Sequence, residues 1–174
     1  RWAKETAESP TIAYEGDPGE GDTSAARWGD SFDVRGSGAN AQLAAGAGGS
    51  ATVGAVFTTT DGLTFTARKI TNIAANTIAF GSGDTLWTKR SGTALRQVGF
   101  NLTTGVGTIL VTAPTTIVPN ALVGIGVNAS SNLLGGINLN TATDDFRLYD
   151  ISLVNDVAII DQENFPADNA NGNA

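Results

Sequence analysis

The sequence predicts an all-β fold, in the form of an antiparallel β-sandwich. Three features of the 174-residue chain lead to this prediction. Short segments rich in Val, Ile and Thr alternate apolar with polar residues, as a strand buried on one face does. Turn-forming residues separate these segments at short intervals, which is typical of sandwiches and barrels. No segment sustains apolar residues at helical spacing, so no helix is expected.

The chain divides into three parts by composition. Residues 1–24 are predicted to form an extended acidic arm, because 15–24 combine acids with Gly and Pro and show no periodicity. Residues 25–165 carry the strand-like pattern and are predicted to form the sandwich. Residues 166–174 are small and polar after an initial proline, and they are predicted to be a flexible tail.

The first half of the sandwich is placed by alternation and by one turn motif. Alternation predicts a first strand at Trp28, Phe32 and Val34. The small residues of 40–51 are predicted to be a linker. Asp61-Gly62 lies between β-prone runs, and this pair favours a two-residue type I′ hairpin, in which both central residues need positive φ.

The second half contains further strands separated by Gly, Asp and Pro. They are predicted at 72–80, 86–88, 98–102, 108–113, 121–128, 145–154 and 157–161. Turns are expected at 81–84 and at Thr104-Gly105. Residues 133–137 are apolar but interrupted by two glycines, and neither a strand nor a helix is assigned to them.

Two short motifs resemble those of galactose-binding-like jelly rolls. One is the run Leu148-Tyr149-Asp150-Ile151-Ser152-Leu153, which is similar to the closing strand of that family. The other is Gly62-Leu63-Thr64-Phe65-Thr66-Ala67-Arg68, which is similar to an earlier strand with a glycine, an aromatic, a small and a basic residue. The family includes many carbohydrate-binding modules, and the same features occur in small β-modules of tailed-phage particles. The resemblance implies a jelly-roll-like sandwich.

The chain has neither His nor Cys, and this limits its chemistry. Imidazole and thiolate are the side chains that most often titrate near neutral pH in active sites. Zinc, copper and iron–sulfur centres also depend on them. Carboxylates are the remaining catalytic candidates, but most lie at predicted strand ends and turns, where solvated acids are ordinary. The sequence therefore predicts a protein that is not an enzyme.

Calcium is the one metal that this composition suits, because it takes oxygen ligands from carboxylates, amides and backbone carbonyls. Asp144 and Asp145 are the candidate ligands. Their spacing is not that of an EF-hand loop, and a solvated acidic loop is the alternative. No other cofactor is expected.

Charge is distributed unevenly along the chain. Residues 1–33 hold eight acids and three bases (−5), 34–143 two acids and six bases (+4), and 144–174 seven acids and one base (−6). Either the acidic ends are simply solvated, or the acidic ends of one subunit meet the basic middle of a neighbour. The net charge of −7 disfavours nucleic acid as a partner. No apolar run is long enough to predict a membrane span.

These features predict a non-enzymatic structural protein that assembles with copies of itself and with other subunits, on a virion or on the outside of a cell. Capsid decoration, tail-associated and surface-filament subunits are examples. The predicted partner-binding residues are the apolar anchors of the arm and the bases of the middle region: Trp2, Ile12, Tyr14, Arg68, Lys69, Lys89 and Arg90. The alternative is a carbohydrate-binding module in which Trp87 stacks on a glycan.

Overall fold

The computed structural model describes residues 28–47, 53–73, 77–90, 93–118, 122–138, 145–152 and 158–164. These residues form twelve β-strands and one short 3-10 helix. All of their strand pairs are antiparallel. The prediction of an all-β, sandwich-like fold is therefore confirmed. The predicted arm and tail lie outside the described residues.

The strands form three sheets of four. The N-terminal sheet consists of β1 (Trp28–Arg35), β2 (Gln42–Ala47), β3 (Val53–Thr58) and β4 (Thr66–Thr71). The central sheet consists of β5 (Thr77–Phe80), β6 (Thr85–Lys89), β7 (Arg96–Phe100) and β8 (Gly107–Thr112). The C-terminal sheet consists of β9 (Leu122–Val127), β10 (Leu133–Asn138), β11 (Asp145–Asp150) and β12 (Ala158–Asn164).

Each sheet is a meander, because its neighbouring strands are consecutive in the chain. A jelly roll instead joins the strands of two sheets through Greek-key crossovers. The jelly-roll part of the expectation therefore has no counterpart among the described strand pairings. The run that resembles a closing strand begins within β11. This strand does not close its sheet, because β10 pairs with one edge of β11 and β12 pairs with the other.

In the central sheet β5 and β6 are buried on both faces, because successive side chains of a strand point to opposite faces and nearly all of theirs are buried. One face packs on the N-terminal sheet in a core formed by Ala44, Val56, Ile70, Ile73, Ile78, Phe80, Leu86, Val98 and Phe100. The opposite face packs on the C-terminal sheet in a core formed by Ala79, Trp87, Leu95, Val111, Ala113, Val118, Leu122, Ile125, Leu134, Tyr149 and Ile151. The described part of the chain is therefore a three-layer sandwich.

Side chains of β1 accept hydrogen bonds from backbone N–H groups of β5, at the edge of β5 that does not pair with β6. The backbone N–H of Ile78 donates to Ser31 Oγ at 3.2 Å, and that of Phe80 donates to Asp33 Oδ2 at 2.8 Å. Buried backbone donors of an edge strand need such partners. These bonds hold the N-terminal sheet in a fixed position on the central sheet.

Two segments that the sequence did not mark as strands are strands. Residues 42–47, expected to lie in a linker, form β2 between β1 and β3. Residues 133–138 form β10 between β9 and β11. Both segments are rich in Ala or Gly, which are weak strand formers, so the ladder bonds of their neighbours decide the conformation.

The loop that joins β3 to β4 is also different from its prediction. It covers residues 59–65 and is not a two-residue turn. Gly62 has a φ of 76°, but Asp61 does not have the positive φ that a type I′ turn requires. The Asp61 carboxylate instead accepts bonds from the N–H groups of Leu63 and Thr64, each at 2.8 Å, and from the hydroxyls of Thr59 at 2.9 Å and Thr64 at 2.6 Å. An Asp side chain that accepts hydrogen bonds from the N–H groups of the following residues takes the place of the backbone hydrogen bonds that would close a two-residue turn.

Candidate functional site

The turn at 101–105, between β7 and β8, has a shape fixed by its own side chain. Asn101 Oδ1 accepts bonds from the N–H groups of Thr103 and Thr104, each at 2.9 Å. The N–H of Gly105 donates to the Asn101 carbonyl at 2.8 Å, and Gly105 has a φ of 73° that favours glycine. An Asn followed by such a glycine forms a stable local turn.

The same turn is attached to β4 of the N-terminal sheet. The N–H of Thr71 donates to the Gly105 carbonyl at 3.0 Å, and the Arg68 guanidinium donates to the Thr103 carbonyl. A Cβ at Gly105 would lie 2.7 Å from the Lys69 carbonyl oxygen, so only glycine allows this approach. The turn therefore sits between the edge of the N-terminal sheet and the central sheet.

A cavity of about 540 Å³ lies on the central-sheet side of the turn; we call it the apolar cavity. It is lined by Asp84, Gly99, Phe100, Asn101, Thr104, Val106, Thr108 and Leu110. Gly99 has no side chain, and Leu110 packs over the space this leaves. Val106 and Leu110 are both half exposed, so the cavity offers apolar surface that a partner can cover.

A second cavity, of about 330 Å³, lies on the β4 side of the turn; we call it the basic cavity. It is lined by Ala67, Arg68, Lys69, Thr71, Thr104 and Gly105. Thr104 lines both cavities, so they are neighbours across the turn. The arrangement suits a segment that presents apolar side chains to one cavity and acidic side chains to the other.

The structure brings two of the predicted partner-binding residues together and separates the others from them. Arg68 and Lys69 both line the basic cavity, where Arg68 is exposed and Lys69 is partly buried. Arg90 follows β6 and is partly buried, and it lines neither cavity. Trp2, Ile12 and Tyr14 lie outside the described residues.

Lys89, predicted to be a surface cation, is a buried residue. Only 1% of it is exposed, and its Nζ donates to the Arg90 carbonyl at 2.9 Å. Burial lowers the pKa of Lys89 to about 8, because desolvation disfavours the charged ammonium. The sequence shows the charge of Lys89 but not the face of β6 on which it lies, so its burial could not be predicted.

Trp87, the residue offered for glycan stacking, is also buried. Only 2% of it is exposed, and it belongs to the core between the central and C-terminal sheets. A sugar ring needs an accessible aromatic face, so this side chain cannot provide the platform. The carbohydrate-binding alternative therefore loses the residue on which it depended.

The calcium candidates fall at the limit of what the structure describes. Asp144 lies outside the described residues, and Asp145 begins β11, where its backbone pairs with those of Asn138 and Asn164. Within the described ranges, no group of three His, Cys, Asp or Glu residues is placed to hold a metal ion. No helix in the same part of the chain is long and apolar enough to cross a membrane.

Comparisons with known proteins do not add a relative to this picture. A scan against protein-family models and searches of curated proteins and of solved structures found no significant match. The cavities are therefore interpreted from their own chemistry.

Several lining residues were not singled out from sequence, among them Phe100, Asn101, Val106 and Leu110. Phe100 was assigned to a strand, and Asn101 was not assigned to a turn. The one available signal was the Asn101-to-Gly105 spacing, which is typical of a side-chain-bonded turn. Sequence could not indicate that Leu110 leaves its strand face, because this follows from a bulge where β7 pairs with β8.

Proposed function

We propose that this chain is a non-enzymatic structural subunit that assembles with copies of itself and with other subunits on the exterior of a virion or a cell. The observation that carries the proposal is that all three layers expose large apolar side chains. The exposed large apolar side chains among the described residues are Phe32, Val34, Leu63, Val106, Ile109, Leu110, Ile137 and Phe146. Contiguous apolar surface on a soluble domain commonly marks a protein–protein contact.

On the N-terminal sheet the exposed residues share one face. Phe32 and Val34 are two residues apart on β1, and they are 68% and 53% exposed. Their register partners on β2, Ala45 and Leu43, continue the same apolar face. Burial of this face by a neighbouring subunit would gain about 25 cal/mol for each Å² of apolar surface removed from water.

On the C-terminal sheet a second apolar pair lies on the outer face. Ile137 of β10 and Phe146 of β11 are register partners, and both are more than one-third exposed. The Phe146 ring lies over Gly135, where a Cβ would come within 2.9 Å of the ring. Apolar surfaces on both outer layers suit a subunit that has neighbours on more than one side.

Composition supports the exterior setting. The chain contains neither Cys nor Met, the two residues most readily oxidised, and its net charge is −7. An oxidising exterior does not damage such a chain, and a high net charge keeps it soluble before assembly.

The test is the mass of the full-length protein in solution, by native mass spectrometry and sedimentation velocity over a hundredfold concentration range. We expect discrete oligomers that weaken in Phe32→Ser and in Phe146→Ser. Thr60→Ser, an exposed change in the 59–65 loop, is the control and should leave the oligomers unchanged. A protein that stays monomeric throughout the range would contradict the proposal, and specific binding on a glycan array would favour the carbohydrate alternative.

A further inference from the structure

We propose that the apolar cavity and the basic cavity form one docking groove, and that its occupant is residues 12–17 from the arm of a second copy of this chain. This inference rests on the proposed function, since it requires copies to assemble. It identifies the segment of the partner and the place where that segment binds.

The lining of the groove changes from apolar to basic along one path. Val106 and Leu110, both about half exposed, supply the apolar surface of the apolar cavity, and the buried Phe100 lies beside them. Thr104 lines both cavities, and beyond it the exposed Arg68 lines the basic cavity. A ligand that lies across the turn therefore meets apolar side chains first and a guanidinium second.

The segment has the same order of chemistry. Residues 12–17 read Ile-Ala-Tyr-Glu-Gly-Asp, so two large apolar residues precede two acids. In an extended segment Ile12 and Tyr14 point to one side, towards the apolar cavity, and Glu15 points to the other side, away from the groove. Gly16 provides a backbone position at which the chain can rotate, and this rotation brings Asp17 to the groove side beyond Thr104. Six extended residues span about 20 Å, which suits a path across two adjacent cavities.

Charge decides the direction in which the segment lies. Asp84 lines the apolar cavity, its side chain is 70% exposed, and its ion pair with Arg35, at 3.6 Å, offsets its charge only in part. The reverse direction would bring Glu15 and Asp17 towards this carboxylate, and like charges repel. In the proposed direction the uncharged residues 9–11 pass Asp84, while Asp17 reaches Arg68.

The occupant comes from a second copy because of where the arm joins the domain. The arm leads into β1, which lies at the opposite edge of the N-terminal sheet from β4, about 14 Å away across three strand spacings. The direct path to the chain's own groove crosses the sheet face that exposes Phe32 and Val34. Residues 18–27 of the connection hold acids, one Arg, Gly, Pro and small residues and have no large apolar side chain to pack on that face. Ten extended residues span up to about 33 Å, which would reach the chain's own groove or that of a neighbour, so the unfavourable crossing of the apolar face, and not length, selects the second copy.

Engineered cysteines test the location directly, since the natural chain has none. Full-length copies with Tyr14→Cys are mixed with full-length copies with Thr108→Cys, and oxidation should give a disulfide-linked dimer on non-reducing gels. Thr112→Cys is the matched control, because Thr112 is exposed on the same strand but does not line the groove. The Tyr14 and Thr112 mixture should give less than a tenth of that dimer.

Two outcomes would overturn the inference. One is a lack of Tyr14–Thr108 cross-linking in a protein that does form oligomers, which leaves the proposed function standing. The other is a chain carrying both Tyr14→Cys and Thr108→Cys that forms the disulfide within itself, with no dimer even at high concentration. This result would show that the groove binds the arm of its own chain. A wild-type protein that never forms oligomers would contradict the proposed function and the inference together.

A charge exchange provides the second test. Arg68→Glu should weaken oligomer formation about tenfold, and Asp17→Lys should restore it in the same chain. Arg68→Glu combined with Glu15→Lys is the matched control and should not restore it, because Glu15 points away from the groove. Far-UV circular dichroism identifies a variant that has simply lost its fold. Failure of the charge exchange to restore assembly, in a folded protein, would show that Asp17 does not meet Arg68.

Discussion

The guanidinium of Arg35 lies over the ring of Phe80, with its Cζ 4.3 Å from the ring centroid. The same group donates to Gln42 Oε1 at 2.8 Å and to the Gly83 carbonyl, and its Nη2 is 3.6 Å from Asp84 Oδ1. One side chain of β1 therefore attaches the N-terminal sheet to the 81–84 turn of the central sheet. The planar guanidinium can stack and bond in several directions at once, which an ammonium cannot do.

We expect Arg35→Lys to lower the free energy of unfolding by about 1–3 kcal/mol, because it removes the stacking on Phe80 and all but one of the directed bonds. Urea denaturation followed by tryptophan fluorescence measures the change. Arg90→Lys is the control, since Arg90 takes part in the described bonds only through its carbonyl. Equal stability of the two variants would show that the Arg35 contacts do not hold the sheets together.

Trp87→Ala should lower the free energy of unfolding by about 3–5 kcal/mol, because it leaves a cavity in the core between the central and C-terminal sheets. Leu63→Ala removes a large apolar side chain that is 76% exposed, and it should change stability by less than about 0.5 kcal/mol. Thermal and urea unfolding of both variants measure the difference. A Trp87→Ala protein as stable as the wild type would place the indole outside the core and restore its role as a candidate sugar platform.

Lys89 should make stability rise with pH on the alkaline side. Its folded-state pKa is about 8, whereas an unfolded lysine titrates near 10.4. Between these values the unfolded state binds a proton that the folded state has released, so the free energy of unfolding increases with pH. Lys89→Met removes the group, and the difference between wild type and variant should grow in favour of the wild type from pH 7.5 to 10.5. A pH-independent difference would contradict the assignment.

The elements that sequence predicted well are those whose own residues decide them. Val98 and Phe100 alternate with polar or small residues, and they lie in β7 with their side chains in one core. The turn at 81–84 has two glycines and an aspartate, and it lies between β5 and β6 as expected. In these segments local propensity and the tertiary structure favour the same conformation.

The elements that sequence missed are decided by their neighbours. β2 contains mainly Ala and Gly, and it is a strand because β1 and β3 pair with both of its edges. Trp87 and Lys89 lie on the same face of β6 and both are buried, and Trp87 is buried in the core that the central sheet forms with the C-terminal sheet. A strand that is buried on both faces lacks the alternation of apolar and polar residues by which a strand is recognised in a sequence.

The candidate groove was half predictable for the same reason. Arg68 and Lys69 were found because adjacent charges are visible in any sequence. Asp84, Phe100 and Leu110 come from the 81–84 turn, β7 and β8, and only the pairing of β6, β7 and β8 brings them to one cavity. No local pattern carries that register.

Asp61 should stabilise the 59–65 loop through its charge. Bonds from the hydroxyl and N–H of Thr64, then from Leu63 and Thr59, hold the pKa of the Asp61 carboxyl well below its usual range. A depressed pKa adds stability above the unfolded value near 4, and this stability is lost as the pH falls below it. Asp61→Asn should therefore lower Tm at pH 7, and the difference in Tm between the variant and the wild type should narrow between pH 5 and pH 2. A gap that does not change with pH would show that the amide and the carboxylate bond the loop equally.

The last prediction concerns the arm, whose acids and glycines offer little apolar surface with which to fold alone. Deletion of residues 1–24 leaves β1 intact from Trp28, so we expect the wild-type circular dichroism spectrum and a free energy of unfolding within about 1 kcal/mol of the wild type. The same protein should sediment as a monomer at concentrations where the full chain is oligomeric. Normal assembly of the truncated protein would contradict the arm's role between subunits. A large loss of stability would instead show that the arm packs on its own sandwich.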